Sequence, residues 1–413
     1  MSRTLESIMS ERVGAACLHV PSARFGLYLA LRHWFGAGDR VLIAPTNCET
    51  VLFIALAAGL RPVMAPVSAD DGNIDPDLVD WTGLAGVLTT HLYGQPDRVV
   101  RLRAECDRRG LVLVDDAAHA MLTTVDGRPA GTFGAAGVFS LAKHGRAMSG
   151  GFLTVEDPGE LPALARMRDG LLLDGGPRAQ VLGALRPMLR ETVYRTGLVR
   201  PMWRALKALG VIEWTGHRCA PREEELLAAL EAVEDPEAPG GLDGLGHWLR
   251  IDLDDWRMRQ GGLLRAYQRS RFRVVDRERE RRLAGVELLR GLPWAARGVA
   301  GSPPAPLLRV PLVVEDRDAV VTALERHGVV PGFVYDPPLD DYLGLVPAGP
   351  TPEAARWWTR HVLPVDPLRA RRVAVLLDRL GVRPAGPPPP RSPGPPPAPS
   401  APAASAEETG ARM

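Results

Sequence analysis

Between Val20 and about Glu156 the chain alternates short, unbroken apolar runs with stretches of helical periodicity. The runs are 41–43, 62–65, 86–90, 111–114, 137–141 and 152–155. Unbroken rather than alternating apolar character predicts strands buried on both faces. Helices are expected over 25–34, 50–59 and 98–109, with Gly59 and Gly110 where helix C-caps belong. This alternation predicts an α/β domain built on a largely parallel sheet.

The pattern then changes. From Leu161 to about Arg222 the chain reads as helical, arginine-rich and without clear strands, and 235–241 is a turn-rich break. A helix over 242–283 follows, then apolar runs at 307–314 and 329–334, a strand over 361–365 and a final helix over 368–380. The expected organisation is an N-terminal arm (1–20), a large domain (21–235) with a helical insertion at about 161–222, and a smaller α+β domain (236–383). Residues 384–413, mostly Pro, Ala, Ser and Gly, are expected to be a disordered tail.

A length of 413 residues suits two cores, and a net charge of +1 offers no field for nucleic acid or an anionic membrane. Cys17, Cys48, Cys106 and Cys219 are too scattered for a zinc site or a disulfide framework, so no metal is expected and a reducing cytoplasm is the expected compartment. The first twenty residues lack the apolar core of a signal peptide, and no apolar run is long enough to span a bilayer. Residues 194–214 form a basic amphipathic stretch that could lie on a membrane surface, although packing on the protein itself is the preferred reading. Only two of the 50 cationic side chains are lysines, Lys143 and Lys207. Lysine can form a Schiff base and arginine cannot, which singles both out. Lys207, on a helical cationic face, reads as a solvated charge.

Two strands run out into chemistry. The first, 112–116, ends in Asp115 and Asp116, with His119 three residues on; the second, 137–141, leads to Lys143, with Ser140 before it and Gly150–Gly151 after. A lysine, a carboxylate and an anion cradle at the C-terminal ends of strands are what pyridoxal phosphate (PLP) requires. Adjacent strand residues face opposite ways, so Asp116 is read as the functional carboxylate and Asp115 as structural. His91 and Tyr93 fit either a substrate mouth or turn packing. Cys48, beside Glu49, reads as a packing residue.

Asp116-Ala-Ala-His119, Phe139-Ser140, and Lys143 followed by Gly150-Gly151 together resemble the cofactor signature of the DegT/DnrJ/StrS sugar aminotransferases. So do Thr90-His-Leu-Tyr-Gly-Gln-Pro96, Gly38-Asp-Arg-Val-Leu-Ile-Ala-Pro45, Ala58-Gly-Leu-Arg-Pro-Val63 and Asn73-Ile-Asp-Pro76. The resemblance runs in register from about Pro21 to Glu156 and faintly around Leu363-Pro-Val365.

The resemblance implies the PLP-dependent transferase fold type I: a large domain with a mostly parallel mixed sheet between helices, plus a smaller α+β domain. It implies Lys143 as the Schiff-base lysine, Asp116 as partner of the pyridinium nitrogen and His119 against the ring or its hydroxyl. Ser140 would bind the phosphate with Ser22 and the amides of Ala23 and Arg24, and His144 would reach the partner subunit's phosphate. It also implies a homodimer that moves nitrogen from an amino acid, glutamate by expectation, to a keto group of a nucleotide-linked sugar or related polyol. Arg24 and Glu49 depart from the family pattern. Another PLP reaction (dehydration or aromatisation) and a non-catalytic paralogue stay open as alternatives.

Overall fold

The computed structural model describes residues 3–174, 224, 228, 256–342 and 353–390. Its strands are β1 (Ala16–Val20), β2 (Arg40–Ile43), β3 (Arg61–Met64), β4 (Gly86–Thr90), β5 (Val112–Asp116), β6 (Thr124–Val125), β7 (Arg128–Pro129), β8 (Ala136–Ser140), β9 (Gly151–Val155), β10 (Val310–Val313) and β11 (Val362–Val365). The helices are α1 (Leu5–Val13), α2 (Ala23–Trp34), α3 (Glu49–Ala57), α4 (Val99–Arg109) and α5 (Leu161–Leu171). After the undescribed stretch come α6 (Gly262–Arg290), α7 (Arg297–Ala300), α8 (Arg317–Arg326), α9 (Leu339–Tyr342), α10 (Glu353–His361) and α11 (Ala370–Arg379).

Seven strands make the main sheet in the order β1-β9-β8-β5-β4-β2-β3. Strands β3, β2, β4, β5 and β8 are parallel; β9 runs against both β8 and β1. Every residue of β4, β8 and β9 is buried, as their unbroken apolar character requires. Phe25, Leu29 and Phe53 from α2 and α3 share one core with Val114, Val138 and Leu153 of the sheet, whereas Leu102 and Cys106 of α4 pack with Leu42, Val87 and Leu113. Helix α4 ends as expected, at a left-handed Gly110 (φ 66°).

Residues 16–20, expected within an arm, instead form the sheet's edge strand. His19 breaks the apolar pattern there, but its ring is buried, bonded to Gln268 Oε1 at 3.2 Å and edge-on to Phe152. The run 329–334 is no strand. Pro331 has no N–H to offer a ladder, and Gly332 spends its N–H on the Pro364 carbonyl at 2.6 Å.

The smaller core surrounds the antiparallel pair β10–β11, with α8, α11 and the end of α6 against it. It does not fill 236–383. Trp256 is fully buried, edge-on to Phe25 and Tyr28 of α2, and Leu339 joins the same large-domain core while its N–H bonds Pro45 O at 2.8 Å. Helix α6, about 43 Å long at 1.5 Å per residue, packs Phe272 and Val275 in the large domain and Val286 and Leu289 in the small one. Nor does order stop at 383: Pro384 bridges Val314, and Ala385 N–H bonds Val313 O. Residues 194–214, Lys207, Cys219 and 391–413 lie outside the described residues.

Candidate active site

The parallel strands deliver their C-terminal ends to one edge of the sheet. Because β9 is reversed, it delivers its beginning there, and Gly151 pairs directly with both Val20 of β1 and Ser140 of β8. Next along, Thr90 of β4 pairs with Asp116 of β5. This edge gathers Ser22, Thr90, Asp116, Ser140, Lys143 and the glycine pair.

Lys143 lies in the connection from β8 to β9. Leu141 N–H bonds Gly150 O and Ala147 N–H bonds Leu141 O, closing the loop on itself. A Cβ at Gly145 would come within 2.6 Å of Leu141 O, so this turn requires glycine. Helix α6 holds the loop from outside: Arg271 Nε donates to Gly145 O at 2.6 Å, and Arg146, at a left-handed φ of 52°, pairs with Glu278 at 2.9 Å. Lys143 keeps accessible surface although protein crowds it. Lost hydration pushes its pKa down. Arg24 and Arg309 push the same way, while Cys48 and Asp116 oppose.

Asp116 is buried, accepting from Ala118 N–H at 2.9 Å and, more loosely, from the Thr90 hydroxyl at 3.4 Å. Thr90 is in turn held by the Asn47 amide at 2.7 Å. Burial raises the Asp116 pKa to about 6. Asp115 has a different task. Its carboxylate accepts from Gly131 N–H, Phe133 N–H and His91 Nε2 at 2.8, 3.1 and 2.7 Å. Burial opposes a charge on His91 and Asp115 favours one, with an upward net effect on its pKa. Nδ1 accepts the Asp97 N–H, however, which keeps the ring neutral with its proton on Nε2. His91 is therefore a packing group of the turn and Asp115 its acceptor.

His119 accepts the Tyr93 N–H at Nδ1, and its ring lies nearly parallel to that of Tyr93. Burial and then Lys143 push its pKa well below the ordinary value. Tyr93 continues a stack through Tyr335 to the half-exposed Phe333, all within 13° of parallel.

Two expected ligands are placed otherwise. The Ser22 hydroxyl is spent within the chain, accepting from Phe25 N–H as the cap of α2 and donating to Trp256 O at 2.9 Å. What this cap offers an anion is the first turn of the twelve-residue α2, the amides of Ala23 and Arg24. His144 is wholly buried and donates from Nε2 to His119 O at 2.9 Å. Its ring is held within its own chain.

The edge fits PLP. A Cβ at Gly151 would stand 2.6 Å from Ala23 N and 2.8 Å from the Ser22 carbonyl carbon, so only glycine leaves the cradle beside the α2 amides. Gly150, at φ 101°, turns the chain into it. Three contributors were not identified from sequence: Thr90, Asn47 and Arg309. Thr90 had a signal, a hydroxyl ending a buried strand in register with Asp116; Arg309 had none.

Residues 2–170 match the model of the DegT/DnrJ/EryC1/StrS aminotransferase family. That match covers about two fifths of the chain. The chain is 32% identical over 167 residues to the L-glutamine:2-deoxy-scyllo-inosose aminotransferase of Streptomyces kanamyceticus, covering 39% of this chain and 38% of that protein. It is 36% identical over 165 residues to a dTDP-3-amino-3,4,6-trideoxy-alpha-D-glucose transaminase of Micromonospora megalomicea subsp. nigra, covering 37% and 43%. These alignments thus span about two fifths of the relatives' length. The fold match extends further. The crystal structure of DesI in the presence of its TDP-sugar product superposes with a TM-score of 0.60 at 23% identity, over 90% of this chain and 82% of that one. The DegT/DnrJ/EryC1/StrS segment and the helices and strands beyond it therefore share the aminotransferase fold: an α/β large domain on a mostly parallel mixed sheet, with a smaller α+β domain.

Proposed function

We propose that this chain is a PLP-dependent aminotransferase that takes nitrogen from an amino acid, glutamate by preference, and gives it to a keto group of a nucleotide-linked sugar or related polyol. The observation carrying this reading is the convergence of Lys143, Asp116 and the Gly151 cradle on one sheet edge, within the family segment. When bound, PLP supplies a carbonyl carbon that amino groups attach to reversibly and a ring that accepts electrons from the substrate carbon. Lys143 is the residue to hold that carbon, and its lowered pKa supplies the neutral amine that attachment and later proton transfer at Nζ require. With PLP bound, Asp116 would supply the carboxylate that keeps the ring nitrogen protonated. Ser140 and the amides of Ala23 and Arg24 would hold the phosphate, and His119 would contact the ring.

The relatives' names supply the substrate class: one acts on a keto-cyclitol, the other makes a dTDP-amino sugar. A homodimer in the cytoplasm belongs to the same reading; the scattered cysteines suit a reducing compartment, and sedimentation tests the dimer. The decisive test is visible absorption of the purified protein, repeated on Lys143→Ala, with borohydride trapping. A visible band trapped covalently only when Lys143 is present is the expected result. A protein that stays colourless with added PLP would overturn the reading.

A further inference from the structure

Strands β5, β4 and β2 are neighbours in the sheet, and at its C-terminal edge they deliver Asp116, Thr90 and Asn47 in the same order. All three side chains are buried. Thr90 and Asp116 are register partners in parallel strands, so their side chains share a face. Asn47 sits in the turn after β2. That turn is fixed by Asn47 N–H on Ala44 O at 3.2 Å and by the Thr46 hydroxyl on Gly72 O at 2.6 Å.

The sense of the hydrogen bonds follows from one backbone amide. Cys48 N–H can only donate, and it meets the Asn47 side chain at 2.7 Å, so the atom there is the carbonyl oxygen, Oδ1. The other end of the side chain, Nδ2, is thereby turned to Thr90 Oγ1 and donates to it at 2.7 Å. An Oγ1 that accepts from Asn47 has its own proton left for Asp116 Oδ2, 3.4 Å away. That reach is long for a hydroxyl donor, and its strength depends on the alignment Asn47 imposes.

Asp116 has a use for this donor. Burial raises its pKa to about 6, while the Ala118 N–H and the Thr90 hydroxyl act against that rise. A carboxyl group that takes up a proton competes with the ring nitrogen it would serve. A hydrogen bond to Oδ2 favours the charged form, weakens the carboxylate as a base and leaves the proton on its partner.

Resting on the aminotransferase reading, we propose that Asn47 and Thr90 are positioning residues for Asp116: Asn47 turns the Thr90 hydroxyl onto Oδ2, which keeps the carboxylate charged and the proton on the cofactor's ring nitrogen.

The test is nuclear magnetic resonance on the full chain in two forms. With isotopically labelled PLP bound, the ring-nitrogen resonance reports where the proton lies. Without cofactor, titration of the Asp116 carboxyl resonance, assigned with Asp116→Asn, reports its proton affinity. His91, Asp115 and Lys143, the other titratable groups around Asp116, are the same in every variant. Thr90→Val keeps the shape of the side chain. It should shift the ring nitrogen toward its unprotonated position and tighten proton binding by Asp116 roughly tenfold, the worth of a net hydrogen bond to a charged group. Thr90→Ser keeps the hydroxyl and should match wild type in both readings. Asn47→Asp retains an acceptor for Cys48 N–H but presents Thr90 with a second one, which reverses the hydroxyl. It should move both resonances as Thr90→Val does, and move them less in a Thr90→Val background. Resonances of Thr90→Val that equal wild type, or an Asn47→Asp effect of the same size with and without the hydroxyl, would overturn the proposal. Its failure stays separate from failure of the enzyme reading: the cofactor-free titration needs no PLP, and the visible band trapped at Lys143 reports PLP whatever Thr90 does.

Discussion

Asp115 and Asp116 are neighbours in β5 whose carboxylates take entirely separate partners. Asp115 is locked by two backbone amides and neutral His91, whereas Asp116 meets Ala118 N–H and the Thr90 hydroxyl at the cleft. Two acids one residue apart therefore divide structure from chemistry.

The Asp116 pair of states should be visible in stability. Its folded pKa, about 6, stands above the ordinary 3.8. An acid shifted upward favours folding below its unfolded pKa and loses that advantage as pH rises through the folded value. Cofactor-free wild type should thus lose roughly 2–3 kcal/mol between about pH 4 and 6 from this group. In thermal melts, Asp116→Asn should exceed cofactor-free wild type at pH 8, with the gap closing toward pH 4. A gap independent of pH would contradict the shift.

Asp115→Ala should be costly for another reason. It strands His91 Nε2–H and the amides of Gly131 and Phe133 inside the protein. Unsatisfied buried donors of this kind should remove about 3 kcal/mol or more in urea unfolding. A loss under about 1 kcal/mol would mean that water replaces the carboxylate.

Gly151→Ala should damage the cradle more than the fold. The added methyl meets Ala23 N, so PLP retention should weaken roughly tenfold or more, in line with ordinary overpacking. Absorbance after dialysis, with circular dichroism as the control for folding, reads this directly. Full retention of colour would show that the α2 amides do not form the phosphate site.

Gly285→Ala tests how the small domain closes on α6. A Cβ at this helical position would lie 1.9 Å from Pro367 O, a backbone atom that cannot rotate aside. A destabilisation of at least about 2 kcal/mol is expected by denaturant titration. A neutral result would show that the segment at 367–369 packs less closely on the helix.

Much of this was legible because buried parallel strands write themselves as unbroken apolar runs. The runs at 41–43, 86–90 and 152–155 fall on β2, β4 and β9, and the carboxylates and lysine follow the runs at 111–114 and 137–141, on β5 and β8. Strand β1 escaped notice because the His19 ring is satisfied by Gln268, about 250 residues away. Ser22 and His144 illustrate another limit: residue type suggested ligands, but Trp256 O and His119 O claimed their hydrogen bonds. Arg309 could not be read at all. Its place against Tyr93 and Gly332 is a product of tertiary packing, and nothing local in the sequence distinguishes it among so many arginines.

The reversal of β9 fixes how far the amine can travel. Its loop leaves the sheet at Ser140 and re-enters at Gly151, two residues that are paired across the strands. Lys143 is three residues from that anchor, so its Cα is tethered within roughly 10 Å of Ser140 even if the loop were pulled straight. The search volume left to Nζ is that of one side chain. Its encounter with any bound carbonyl carbon then has the character of an intramolecular reaction, at a high effective concentration set when the sheet forms.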